Sequence, residues 1–220
     1  VCGWVLNARP RGSETHKFIN RGSITVTEVP SSCYVAGVHA YQSGLSASTD
    51  GVGAHNSENH GDITVSTGGK LSVGGVFGYY GARCMYNGTN TGDIVITNTG
   101  GNVRVGGVIG DCAAGLRSNN MLNQGDVTVT KSGTGYVCAA GVHAAEGGRL
   151  GNPADAATAH VNEGEITLIS SVKDSYLGGI SAYDKAEGIN GANKGNLTFT
   201  YNGDGTNTPV LYASFVAAHH

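Results

Sequence analysis

Asn59-His60-Gly61-Asp62-Ile63-Thr64-Val65 decides the fold, because the rest of the chain is written in imperfect copies of it. The same words return at Asn20-Arg21-Gly22-Ser23-Ile24-Thr25-Val26, Asn90-Thr91-Gly92-Asp93-Ile94-Val95-Ile96 and Asn123-Gln124-Gly125-Asp126-Val127-Thr128-Val129. Two more follow, Asn162-Glu163-Gly164-Glu165-Ile166-Thr167-Leu168 and Asn193-Lys194-Gly195-Asn196-Leu197-Thr198-Phe199. After each Gly, apolar residues alternate with mostly Thr or Ser, the period of a half-buried strand. A second phrase answers the first: Val35-Ala36-Gly37-Val38, Val73-Gly74-Gly75-Val76, Val105-Gly106-Gly107-Val108, Ala139-Ala140-Gly141-Val142 and Leu177-Gly178-Gly179-Ile180. Its small-large-small sets, such as Gly74-Val76-Gly78 and Ala140-Val142-Ala144, suit a face that another backbone approaches closely. A weaker apolar position stands before most of the Asn residues, as in Phe18-Ile19, Met85-Tyr86 and Met121-Leu122.

Repeats begin near 20, 59, 90, 123, 162 and 193, so they run 39, 31, 33, 39 and 31 residues, with 1–19 as a partial first coil. Units of this length bury an apolar side only by stacking on their neighbours. The expected fold is all-β: one right-handed parallel β-helix, a β-solenoid over 1–220, of about six coils of 31–39 residues with three short strands each. At about 4.8 Å per coil the rod is roughly 30 Å long. Repeats one and four share Gly37-Val38-His39-Ala40 and Gly141-Val142-His143-Ala144, as a duplicated unit of three repeats would.

Asn20, Asn59, Asn90, Asn123, Asn162 and Asn193 are expected to form a structural ladder. A carboxamide both donates and accepts, so identical residues hydrogen-bond from coil to coil. The Gly two positions later is expected to supply a positive φ.

Composition narrows the function. A net charge of −3 with 13% charged residues gives no footprint for nucleic acid or an anionic membrane. No apolar run approaches the roughly 20 residues of a spanning helix, so direct membrane insertion is not expected. The 37 glycines and 4 prolines fall at fixed offsets, which argues for packing rather than disorder. None of the 5 cysteines has zinc spacing. Cys84 and Cys112 fit either a coil-to-coil disulfide or small buried thiols. A start at Val1 inside a repeat reads as a processed product or fragment, and His219-His220 as native or a tag stub.

Val-Gly-Gly-Val-x-Gly at 73–78 and 105–110, with Asn-x-Gly-Asp-Ile/Val at 59–63, 90–94 and 123–127, resembles the GLUG-type repeats of bacterial, Bacteroidetes-like cell-surface and secreted adhesin proteins. The resemblance implies a non-catalytic module, secreted or displayed at the cell surface, within a larger chain or surface assembly. The partner it implies is a glycan or a host or cell-surface protein. Ala replaces Gly in repeats one and four, and the last copy, Val210-Leu211-Tyr212-Ala213-Ser214-Phe215, reads as a cap.

Four patterns carry candidate chemistry. The first is an outward column of the second phrase, with His39, Phe77 and His143 in one row and Tyr41, Tyr79 and Tyr183 two residues on. Aromatic faces on a rigid sheet pack flat against sugar rings or apolar side chains, and these six are the expected ligand-binding residues. Insertions at 42–58 and 144–160 folding over them would instead bury them. The second is a Thr array, including Thr25/Thr27, Thr64/Ser66, Thr128/Thr130 and Thr198/Thr200, which resembles the Thr-x-Thr faces of ice-binding β-solenoids. The third is an acidic column, Asp62, Asp93, Asp126 and Glu165, which needs calcium or backbone N–H groups to relieve its repulsion. The fourth is catalysis of the polysaccharide lyase or hydrolase kind. Its nearest signal is His55, Glu58 and His60, and no carboxylate pair accompanies them. The expectation is therefore no enzyme, no cofactor and no metal.

Overall fold

Successive copies of the repeat lie directly over one another. Asn20 pairs with Asn59, Asn59 with Asn90, Asn90 with Asn123, Asn123 with Asn162 and Asn162 with Asn193, always between parallel strands. The computed structural model describes residues 2–6, 17–29, 31–43, 53–81, 84–112, 117–146, 149–150, 159–184, 190–204 and 208–216. Among them every regular element is a strand and none is a helix. The chain is an all-β parallel solenoid.

It has four sheets rather than the three expected. The first sheet stacks Phe18–Asn20, Gly53–Asn59, Cys84–Asn90, Arg117–Asn123, His160–Asn162 and Gly191–Asn193. Arg149–Leu150 also pairs with Arg117–Asn123, on the side that His160–Asn162 takes. The second sheet holds the Thr-rich strands, Ile24–Val29, Ile63–Thr67, Ile94–Asn98, Val127–Lys131, Ile166–Ser170 and Leu197–Tyr201. The third holds Cys33–Ala36, Leu71–Gly74, Val103–Gly106, Val137–Ala140, Asp174–Gly178 and Val210–Ser214. The fourth holds Cys2–Leu6, His39–Ser43, Phe77–Tyr80, Ile109–Cys112, His143–Glu146 and Ser181–Asp184. The second phrase is thus two strands, broken at its Gly-Val corner. The turns starting at Phe18, Gly53, Cys84, Arg117 and His160 supply all four sheets, and the stack tapers at both ends.

The corner shapes the cross-section. Gly37, Gly75, Gly107, Gly141 and Gly179 stack along it, and a Cβ on any of them would collide with the carboxamide of Asn59, Asn90, Asn123, Asn162 or Asn193 respectively. The two phrases of the repeat therefore meet inside the coil. The pinch separates two cores. One lies between the second and third sheets and includes Ile63, Val65, Val73, Ile94, Val105 and Leu168. The other lies between the fourth and first and includes Phe77, Tyr80, Met85, Ile109 and Met121.

The carboxamides form a continuous chain. Asn20 Nδ2 donates to Asn59 Oδ1 at 2.7 Å, Asn59 to Asn90, Asn90 to Asn123 and Asn123 to Asn162 at 2.8 Å each, and Asn162 to Asn193 at 2.7 Å. Each Nδ2 also donates to the carbonyl of the Gly two residues on, as Asn90 does to Gly92 O at 2.8 Å. Positive φ does not explain those glycines, since Gly61, Gly92 and Gly125 lie outside that region. Close stacking does: a Cβ on Gly92 would collide with Gly61 O. Among the described residues, the non-glycine positions at positive φ are Glu28, at 58°, and a second column, Asn56, Asn87 and Asn120, at 52°, 57° and 55°. These asparagines too hydrogen-bond rung to rung, at 2.8 Å.

Candidate functional site

Outside the glycine corner the third and fourth sheets press together. Gly74, Gly106 and Gly178 have no room for a Cβ against the carbonyls of Phe77, Ile109 and Ser181, and Ser72 Oγ donates to Gly78 O at 2.6 Å. Farther from the corner larger side chains hold the mouth open, and they come in pairs seven residues apart on the same rung: Tyr34 with Tyr41, Arg104 with Asp111, Tyr176 with Tyr183. A lateral groove results. Its third-sheet wall runs Tyr34, Ser72, Arg104, Cys138, Tyr176, Tyr212, in register rung by rung. Its fourth-sheet wall runs Tyr41, Tyr79, Asp111, Ala145, Tyr183.

Aromatic rings line both ends. Tyr41 stacks on Tyr79 at 5.0 Å, with Tyr34 edge-on to Tyr41 at 5.1 Å. Tyr176 stacks on Tyr212 at 5.0 Å and meets Tyr183 edge-on at 5.3 Å. Between the two ends Arg104 Nη1 donates to Asp111 Oδ2 at 2.5 Å and Nη2 to the Tyr136 hydroxyl, while the guanidinium lies 5.5 Å from the Tyr136 ring centre. Arg104 and Tyr136 divide two hollows. One, of about 200 Å³, is lined by polar groups including Lys70, Ser72, Asn102 and Asp111. The other, of about 300 Å³, is lined by Tyr136, Cys138, Tyr176 and Tyr183. Burial raises the Asp111 carboxyl, and Arg104 beside it offsets part of that rise. Burial lowers the Arg104 value, but Asp111, Tyr136 and Cys138 together raise it by more, and the guanidinium stays charged. Burial pushes the Cys138 thiol up to about 12, so it is a packing group rather than a nucleophile.

Of the six expected ligand-binding residues, Tyr41, Tyr79 and Tyr183 stand at the groove, half-buried. His39, Phe77 and His143 were expected to face outward and instead lie inside the coil, at 0%, 1% and 0% exposure. The corner explains the correction. Reading the second phrase as one strand puts Val38 and His39 on opposite sides, whereas the bend turns both inward. Alternation breaks again at Tyr79, outward, followed by buried Tyr80. The expectation missed Tyr34, Arg104, Tyr136, Tyr176 and Tyr212; the signal for Tyr34, Arg104 and Tyr176 was their spacing of seven from Tyr41, Asp111 and Tyr183 across the corner.

The inward histidines resemble a Ser-His arrangement but are sealed among apolar side chains. Ser118 Oγ lies 3.3 Å from both His143 Nε2 and His160 Nε2, and the Met121 N–H donates to His160 Nδ1 at 3.2 Å. Burial holds His39 and His160 near 4, and His143 well below its ordinary value. The neutral imidazoles of His143 and His160, closed from solvent, share Ser118 in a polar layer of the core. Lys131 is also buried, and its Nζ donates to Ser132 O and Thr134 O at 2.6 and 2.7 Å. Burial lowers it to about 8.

The other patterns have structural explanations. Asp62, Asp93 and Asp126 accept from the N–H of Asp93, Asp126 and Glu165 one rung on, at 3.0, 2.9 and 2.8 Å. The acidic column is thus accommodated by backbone donors. Glu58 bonds Lys17 at 2.5 Å and His60 at 3.2 Å on the surface, and the side chain of His55 is outside the described residues. Cys112 is a thiol that donates to Ala145 O, which removes a Cys84–Cys112 bridge. The Thr columns pair in register on an outward face, interrupted by Val95 and Ile169. Most of the two insertions, His219 and His220 lie outside the described residues.

Compared with known proteins, the chain matches no family model, no curated protein and no solved structure. What fold and groove define is a structural class: a four-sided parallel β-solenoid with a tyrosine-lined lateral groove.

Proposed function

We propose that the chain is a non-catalytic repeat module, secreted or displayed at the cell surface as a rigid stalk or adhesive element, that binds a glycan in the groove between its third and fourth sheets. The observation that carries this is the placement of Tyr34, Tyr41, Tyr79, Tyr176, Tyr183 and Tyr212 on one long concave surface, with a polar ion pair between the two aromatic ends. Sugar rings stack on aromatic faces through their C–H groups while hydroxyls bond to polar side chains, so this alternation fits an extended saccharide. A glycoside hydrolase is disfavoured, because hydrolysis of this kind uses two carboxylates and Asp111 is the one acid among the described residues lining the hollows.

A glycan array tests the reading. The chain is expected to retain a set of polysaccharides that Tyr79→Ala and Tyr183→Ala each lose, with melting unchanged. An array that stays blank, or binding indifferent to both substitutions, overturns it.

A further inference from the structure

We infer that the groove selects an acidic glycan: a chain with an anionic substituent, carboxylate or sulfate ester, seated in the polar hollow, and an uncharged ring on the neighbouring tyrosines. This rests on the glycan reading of the groove and adds the class of ligand.

The polar hollow is rich in unused donors. Lys70 lines it and makes no ion pair among the described residues. Asn102 Oδ1 accepts from the Tyr136 N–H at 3.3 Å, leaving its amide nitrogen a donor without a partner among the described residues. Arg104 adds a guanidinium whose side chain is 36% exposed. The single acid, Asp111, is already committed to Arg104. The hollow thus carries two cations against one anion, whereas the whole chain carries −3. That contrast locates a positive spot on an otherwise acidic molecule, and positive charge among fixed donors in a partly desolvated recess is what an anionic oxygen needs.

The adjoining hollow presents aromatic rings beside Arg104. Its lining offers phenol rings over a Cys138 floor, with the Tyr136 and Tyr176 ring centres 6.5 Å apart at 88°. Arg104 and Tyr136 line both hollows, so one ligand crossing from Lys70 towards Tyr183 passes over them. The order is directional: anionic residue on the Lys70 side, ring face on the Tyr183 side.

The test compares matched polymers by titration calorimetry. One arm sets polygalacturonate against its fully methyl-esterified form; a second sets a sulfated galactan against its desulfated, uncharged form. At least tenfold tighter binding of the charged member in either arm is expected, and the arm identifies which anion is read. The preference should shrink with added salt. Lys70→Gln should bring the charged member to the affinity of its neutral partner and leave the neutral partner unchanged. Equal binding within both pairs, with loss in Tyr183→Ala, overturns the acidic selectivity while the groove stands. Binding that Tyr183→Ala leaves untouched, or no binding at all, overturns both.

Discussion

Arg104 Nη1 donates to Asp111 Oδ2 at 2.5 Å across the glycine corner, tying the third sheet to the fourth on the one rung where both groove walls are charged. The pair is partly desolvated, at 36% and 15% side-chain exposure, so each charge relies on the other. Arg104→Met is expected to cost roughly 1 kcal/mol after allowance for solvent screening. The double variant Arg104→Met/Asp111→Leu should recover part of that loss in a denaturation cycle. Additive losses would show the pair to be uncoupled.

Asn90 sits mid-ladder, fully buried, donating to Asn123 and Gly92 and accepting from Asn59. Asn90→Ala leaves buried partners unsatisfied and should lower stability by about 3 kcal/mol. Asn193, partly buried at the end of the ladder, should cost about 1 kcal/mol in the same substitution. Urea titrations that give equal losses at the two positions would contradict the ladder.

Gly107 has Gly141 O and the Asn123 carboxamide where a Cβ would go, whereas Gly68 meets only Thr99 Oγ1, at 3.5 Å. Gly107→Ala should therefore destabilise by roughly 3 kcal/mol through overpacking, and Gly68→Ala by well under 1 kcal/mol. Thermal melts of the two variants check this, and a tolerated Ala at 107 would refute the pinched cross-section.

Neutral burial of the core histidines sets an acid response. Their folded values lie below 6.5, near 4 for His39 and His160, so between these limits the unfolded chain binds more protons. Stability is present above about 6.5 and is lost as pH falls towards 4. The denaturation midpoint should drop between pH 7 and 4.5, and His160→Gln should flatten that slope. A midpoint independent of pH across the window would show the imidazoles to be solvated.

Much of this architecture is legible in the sequence. The Asn-x-Gly phrase gave repeat length, strand period and rung-over-rung register, because identical residues recur where identical neighbours are stacked. The Gly and Ala runs of the second phrase announced a close backbone approach, which the corner supplies. What was hidden is the bend itself. Gly75-Val76-Phe77 continues an apolar strand pattern with no Pro or Asn to mark a turn, so Phe77 read as outward when it lies in the core. The site was half legible for the same reason. Tyr41, Tyr79 and Tyr183 stood out as a column, but their partners Tyr34, Arg104 and Tyr176 belong to a second wall that exists only once the phrase is folded in two.

The central claim, that the groove is the binding surface, is tested most directly by the chain's own tyrosines, ten in number. Seven belong to the groove: Tyr34, Tyr41, Tyr79, Tyr136, Tyr176, Tyr183 and Tyr212. Three are elsewhere: Tyr80 in the core, Tyr86 on the first sheet and Tyr201 on the second. With ring-labelled tyrosine, an NMR titration using an oligosaccharide of a polymer retained on the array should shift resonances of the groove set and leave Tyr86 and Tyr201 in place. Shifts confined to Tyr86 or Tyr201, with the groove rings unmoved at saturation, would contradict the account.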